Sequence, residues 1–138
     1  MNLPFPRNDQ ASTTVKTATA FATTYAFTDS LTNVVDYVDV CFSIVVSDKG
    51  TNSSVVVKAQ TNVHESTPTV WADMRSDDKI LNGAAPLDIY EGTFDVSSLT
   101  APFVLHFNVP RRGRHIRLGI KGTAADGSYT IQAIKNVR

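Results

Sequence analysis

The apolar side chains of this chain recur at every second position, and no stretch of 11 or more residues carries the three-to-four spacing of a helix. Period two is the signature of a strand with one buried face, because successive side chains of an extended backbone point to opposite sides. Val38, Val40, Phe42, Ile44 and Val46 alternate with Asp39, Cys41, Ser43, Val45 and Ser47. Val55, Val57 and Ala59 oppose Val56, Lys58 and Gln60; Phe103, Leu105 and Phe107 oppose Val104, His106 and Asn108. Ile116, Leu118 and Ile120 fall on one face, with His115, Arg117 and Lys121 on the other. Tyr129, Ile131 and Ala133 alternate with Thr130, Gln132 and Ile134 in a final strand over residues 128 to 137. Residues 12 to 27 are mostly Thr, Ala, Val, Phe and Tyr, and the threonines favour one or two strands over a helix. Val70 and Trp71 mark a short strand, and another lies near residues 94 to 96. About eight strands separated by turns predict an all-β, two-sheet antiparallel sandwich of jelly-roll type.

Turn chemistry suggests how the strands connect. Pro110 and Gly113 bracket a reversal, so residues 103 to 121 read as a central hairpin. Residues 48 to 52, Asp-Lys-Gly-Thr-Asn, read as a hairpin loop whose flanking strands pair antiparallel. Ala125, Asp126 and Gly127 form a third hairpin turn, since Asp and Gly accept positive φ. Leu3-Pro4-Phe5-Pro6 cannot enter a helix or a sheet interior, so residues 1 to 11 read as an extended arm and residues 12 to 138 as a single β-sandwich domain.

Composition narrows the function classes. A chain with 42% hydrophobic and 19% charged residues is globular, neither disordered nor membrane-spanning. Thirteen Lys and Arg balance thirteen Asp and Glu, which disfavours a nucleic-acid or membrane-surface binder, since both rely on a basic excess. The single cysteine, Cys41, has no disulfide partner and lies between Val40 and Phe42, which reads as a buried, inert thiol. The N-terminus has no basic region followed by an apolar run, so the expectation is synthesis and folding in a cytoplasm.

Catalytic and metal motifs are missing from the sequence. His64, His106 and His115 lie far apart and belong to no spaced ligand set, and Asp73, Asp77 and Asp78 lack the graded spacing of a calcium loop. His64-Glu65 with Asp73 reads as solvated loop polarity, and Asn52-Ser53-Ser54 as a chance match to a glycosylation acceptor. Without a phosphate-binding glycine loop, a nucleophile elbow or a carboxylate pair, the expectation is no enzyme, no cofactor and no metal.

Charge segregation is the remaining signal. Arg111, Arg112, Arg114, Arg117 and Lys121 carry five positive charges with no acidic residue among them. Residues 73 to 95 hold Asp73, Asp77, Asp78, Asp88, Glu91 and Asp95 against only Arg75 and Lys79. The arginines either neutralise that acidic stretch or meet carboxylates on another protein, for which their planar forks are suited. Leu3, Phe5, Arg111, Arg112 and Arg114 are therefore the candidate partner-binding residues.

The aliphatic strand at 38 to 46, the glycine-containing loop, the Val-rich strand ending Ala59-Gln60-Thr61, the tryptophan strand and Val109-Pro110-x-x-Gly113 followed by Arg114-His115-Ile116-Arg117-Leu118 form a pattern. It resembles the small jelly-roll cement, or decoration, proteins of tailed-bacteriophage capsids, over residues 35 to 137. The resemblance implies a virion structural protein that is made in the host cytoplasm and binds the outside of the head. There it would contact the major capsid protein as a homo-oligomer, a dimer or trimer, and stabilise contacts between capsid subunits. A carbohydrate- or receptor-binding β-sandwich of a phage or bacterium is the alternative, with Trp71, Tyr90 or Tyr25 as sugar platforms. Aromatics exposed in a row favour sugar; aromatics in the core or at a subunit contact favour the capsid.

Overall fold

A computed structural model describes residues 12–31, 37–62, 67–75, 89–110 and 114–137. Among them the regular elements are all strands: β1 (Thr13–Thr19), β2 (Ala26–Phe27), β3 (Tyr37–Asp48), β4 (Ser54–Asn62), β5 (Ala72–Asp73), β6 (Glu91–Asp95), β7 (Phe103–Pro110), β8 (His115–Gly122) and β9 (Ser128–Val137). They form two antiparallel sheets, one in the order β1-β9-β3-β7 and one in the order β2-β8-β4-β5, with β6 also pairing along β4. The fold is the antiparallel sandwich that the alternation predicts.

The pairing is nested. β1 pairs β9, β2 pairs β8, β3 pairs β7 and β4 pairs β6, as in one long hairpin closed from its ends toward its middle. Rolling that hairpin so that its successive pairs lie alternately in the two sheets gives the jelly-roll arrangement, and β3–β9 and β4–β8 pairing then knits the pairs together. The short β5 lies at the middle of the nest and extends the β6 side of β4.

Three expected hairpins are corrected by this topology. β7 and β8 do not pair; β7 lies on β3 in one sheet and β8 between β2 and β4 in the other. β3 and β4 also occupy opposite sheets, and so do β8 and β9 around Gly127. Alternation assigns each strand a buried face, but that face packs against the opposite sheet whichever strand lies alongside, so the pattern does not name the ladder partner.

The faces themselves fall where the period puts them. Val40, Phe42, Ile44 and Val46 of β3 are completely buried, as are Val57 and Ala59 of β4 and Ile116 and Leu118 of β8. Ile131 and Tyr129 of β9, Leu105 and Val109 of β7, and Val15 of β1 close the same core. Each large aliphatic side chain removed from water in this way contributes about 1.5–3 kcal/mol.

Two residues depart from expectation. His115 shares the outward side of β8 with Arg117, yet it is completely buried. The chain leading into β5 passes this corner: Asn62, paired with His115 across the ladder, donates from Nδ2 to the Val70 carbonyl at 2.7 Å. Cys41 is on the outward side of β3 and only half-buried, so it is not the core thiol its apolar neighbours suggested.

At one end of the sandwich the crossovers lock together. The Asp126 carboxylate accepts from Thr51 N at 3.1 Å, Thr51 Oγ1 at 2.7 Å and Asn52 Nδ2 at 3.1 Å, while Asn52 Oδ1 accepts from Ala124 N at 2.9 Å. Lys49 Nζ donates to the carbonyls of Val96, Ser97 and Leu99. Gly127, at φ 78°, takes the left-handed conformation this junction requires.

Candidate binding face

The outward surface of the five-stranded sheet gathers residues from all five of its strands and from the segments before β2 and β5. Ladder partners share a face, so Phe27 opposite Gly119, Lys58 opposite both Gly119 and Glu91, and Gln60 opposite both Arg117 and Asp73 all point outward. Tyr25, two residues before Phe27, and Trp71, two before Asp73, extend the set.

An aromatic layer lies on this surface, interleaved with cations. The Arg117 guanidinium sits 4.1 Å from the Phe27 ring centre and 4.6 Å from that of Trp71. Lys58 Nζ lies 4.3 Å from the Tyr25 ring, with Lys121 Nζ at 4.7 Å. Such contacts contribute about 0.5–1 kcal/mol each when exposed and more as water is excluded. Gly119 makes the layer possible: a Cβ there would stand 2.8 Å from Phe27 Cε1 and 3.2 Å from Tyr25 Cδ1. The two rings lie directly on β8 backbone.

A polar network runs beneath the layer. Arg117 Nε donates to Gln60 Oε1 at 2.8 Å, Gln60 Nε2 donates to Asp73 Oδ1 at 2.9 Å, and Lys58 Nζ pairs with the same oxygen at 3.0 Å. Burial opposes ionisation of Asp73, but the hydrogen bonds from Gln60 and Lys58, with the charges of Lys58 and Arg75, outweigh it and hold the carboxyl below its usual range. Burial likewise pulls the Arg117 guanidinium below its ordinary value, although it stays charged at physiological pH. Burial raises the Tyr25 hydroxyl, helped by Glu91, to which it donates at 3.4 Å. Among the described residues, Arg117 reaches Asp73 through Gln60, and Lys58 takes the ion pair with that carboxylate. Among the described residues the guanidinium makes no other hydrogen bond.

The predicted partner-binding residues are placed unevenly. Leu3, Phe5, Arg111 and Arg112 lie outside the described residues, as do His64, Asp77 and Asp78. Arg114 is half-buried just before β8, its backbone N–H donating to the Asn62 carbonyl at 3.1 Å. Of the proposed sugar platforms, Trp71 and Tyr25 belong to the outward layer, whereas Tyr90 packs 5.5 Å from Phe107 at the edge of the core and donates to the Asn108 carbonyl. Sequence reasoning did not single out Phe27, Lys58 or Gln60 as site residues. The available signal was Gly119, since a glycine inside a strand pattern marks close approach by another group.

A groove of about 190 Å³ along β1, lined by Thr14, Lys16, Thr17, Thr19, Phe27 and Asp29, is smaller than the roughly 300–1,000 Å³ of small-molecule sites. The chain matches no protein-family model, no curated protein and no solved structure in comparisons against all three.

Proposed function

We propose that this protein is a capsid decoration protein of a tailed phage, binding the major capsid protein on the outside of the head through the outward face of the five-stranded sheet. The observation that carries the reading is the preformed aromatic–cation layer of Tyr25, Phe27, Trp71 and Arg117. Trp, Tyr and Arg are the residues in which protein-interface energy concentrates, and here packing and Gln60 hold the arginine in place before any partner arrives. Jelly rolls are a recurrent architecture of capsid and lectin domains. Oligomerisation would multiply a modest single-site affinity across neighbouring capsid subunits.

The test is co-sedimentation with capsids of the parent phage. Wild-type protein binds, and Arg117→Ala weakens binding by about thirtyfold, the equivalent of about 2 kcal/mol for an interface anchor. Absence of wild-type binding, or full binding by the folded variant, refutes the assignment.

A carbohydrate-binding reading is favoured by one observation, the grouping of Tyr25, Phe27 and Trp71 on a single outward face. Arg117 and Lys58 already lie over those rings, so a sugar would have to displace them. Glycan binding abolished by Trp71→Ala, with no capsid binding, selects this second reading.

A further inference from the structure

The opposite face of the sandwich carries a separate cluster. On the outward side of the four-stranded sheet, Cys41 of β3 and His106 of the adjacent edge strand β7 are diagonal neighbours, since Cys41 is paired with Asn108 and Ser43 with His106. Cys41 Sγ lies 3.7 Å from His106 Nδ1, and Ser43 Oγ lies 3.4 Å from the same nitrogen. In the Nε2–H tautomer, the Nδ1 lone pair faces both potential donors, and it is the lone pair a metal would use.

The spacing is that of two ligands on one tetrahedral ion. With Zn–S of about 2.3 Å, Zn–N of about 2.1 Å and an angle of about 109°, the two donor atoms lie about 3.6 Å apart. Thiolate with imidazole is a donor set suited to zinc. The described residues contain no group of three or more metal-ligating side chains, so one chain offers half of a four-coordinate site.

We propose that Cys41 and His106 form a zinc half-site, completed by the same two residues of a second copy of this chain packed face to face about a two-fold axis. A two-fold sets a face against itself, so the same patch lines both sides of the contact. Ser43, Val45, Val104, Asn108, Gln132 and Ile134 share this side through the ladder pairs, and so does Asp39, two residues before Cys41, whose carboxylate accepts from the Asn108 and Asn136 side-chain amides; burial, then this carboxylate, hold the Cys41 thiol above its ordinary value. Val104 is 48% exposed. A thiolate-bound zinc stands about 5 Å above its own sheet, so two sheets sharing the ion lie about 10 Å apart, the ordinary spacing of packed sheets. On binding, each Cys41 thiol gives its proton to solvent, and both imidazoles ligate in their neutral form. The assembly leaves the aromatic–cation face of each copy pointing outward, free for a partner.

The experiment is a titration of the reduced, metal-free protein with zinc, followed by light scattering, and with cobalt(II), followed by thiolate-to-metal absorption. Wild type is expected to form a dimer containing one zinc per two chains and to give a tetrahedral cobalt spectrum. Cys41→Ser and His106→Ala each lose both signals while keeping the melting temperature of the metal-free protein, because both side chains are on the surface. Absence of metal-dependent dimerisation in wild type, zinc bound to a monomer, or dimerisation that survives both substitutions overturns the proposal. Capsid binding plays no part in these readouts, so the two assignments stand or fall separately.

Discussion

Replacing Tyr129 by phenylalanine deletes one oxygen atom from the centre of the core, and the structure predicts that the protein becomes more stable. Tyr129 is 1% exposed, its ring centre 4.6 Å from that of Phe21, and its buried hydroxyl has no hydrogen-bond partner among the described residues. An unsatisfied buried hydroxyl costs about 1–3 kcal/mol, so Tyr129→Phe should raise stability by at least about 1 kcal/mol, or about 4 °C in melting temperature for a chain of this size. Burial also pushes the Tyr129 hydroxyl up to about 12 from an ordinary 10.0. The sign of the pH effect follows from which state loses its proton first. Above pH 10 the unfolded chain ionises this hydroxyl while the folded protein still holds its proton, so the contribution is intact below 10 and is lost as pH rises toward 12. The slope is about 1.4 kcal/mol per pH unit, giving a total loss of about 2.7 kcal/mol. Lysines and the other tyrosines titrate in wild type and variant alike, so the difference between the two isolates Tyr129. Urea unfolding at neutral pH and near pH 11 measures it: the variant starts ahead, and its lead widens by about 1.4 kcal/mol. A variant less stable than wild type at neutral pH, or a lead that does not change with pH, refutes the reasoning.

Three other substitutions probe different levels of the structure. Gly119→Ala places a methyl 2.8 Å from Phe27 Cε1 and should lift the aromatic layer off β8, altering near-ultraviolet circular dichroism and weakening partner binding while far-ultraviolet spectra stay unchanged. Gly127→Ala meets the Asp48 carbonyl oxygen at 2.5 Å with φ at +78°, and denaturant unfolding should register a loss of more than about 2 kcal/mol. Asp126→Ala strips the acceptors from Thr51 and Asn52 at the crossover junction and should cost about 1–3 kcal/mol, with faster amide exchange at Thr51 as the local signature.

Much of the fold was legible in the sequence because the information is local. A period of two in Val40, Phe42, Ile44 and Val46 states both that the segment is a strand and which side is buried, and each residue obeys it whatever strand lies alongside. Turn residues were legible for the same reason: Asp126-Gly127 turns the chain, and Gly127 has the positive φ expected of it. What local pattern cannot state is the partner across the ladder. Residues 103 to 121 looked like a hairpin because their turn is short, yet β7 found β3 and β8 found β4, each more than 50 residues away. Both candidate surfaces were decided at that level. Phe27, Lys58, Trp71 and Arg117 come together only because β2, β8, β4 and β5 are neighbours, and Cys41 meets His106 only because β3 pairs with β7. Strands, faces and core follow from local residue order, since these depend on adjacent residues and water. Tertiary structure alone decided which outward side chains share a surface, because that depends on hydrogen-bonded pairings between segments the chain keeps far apart.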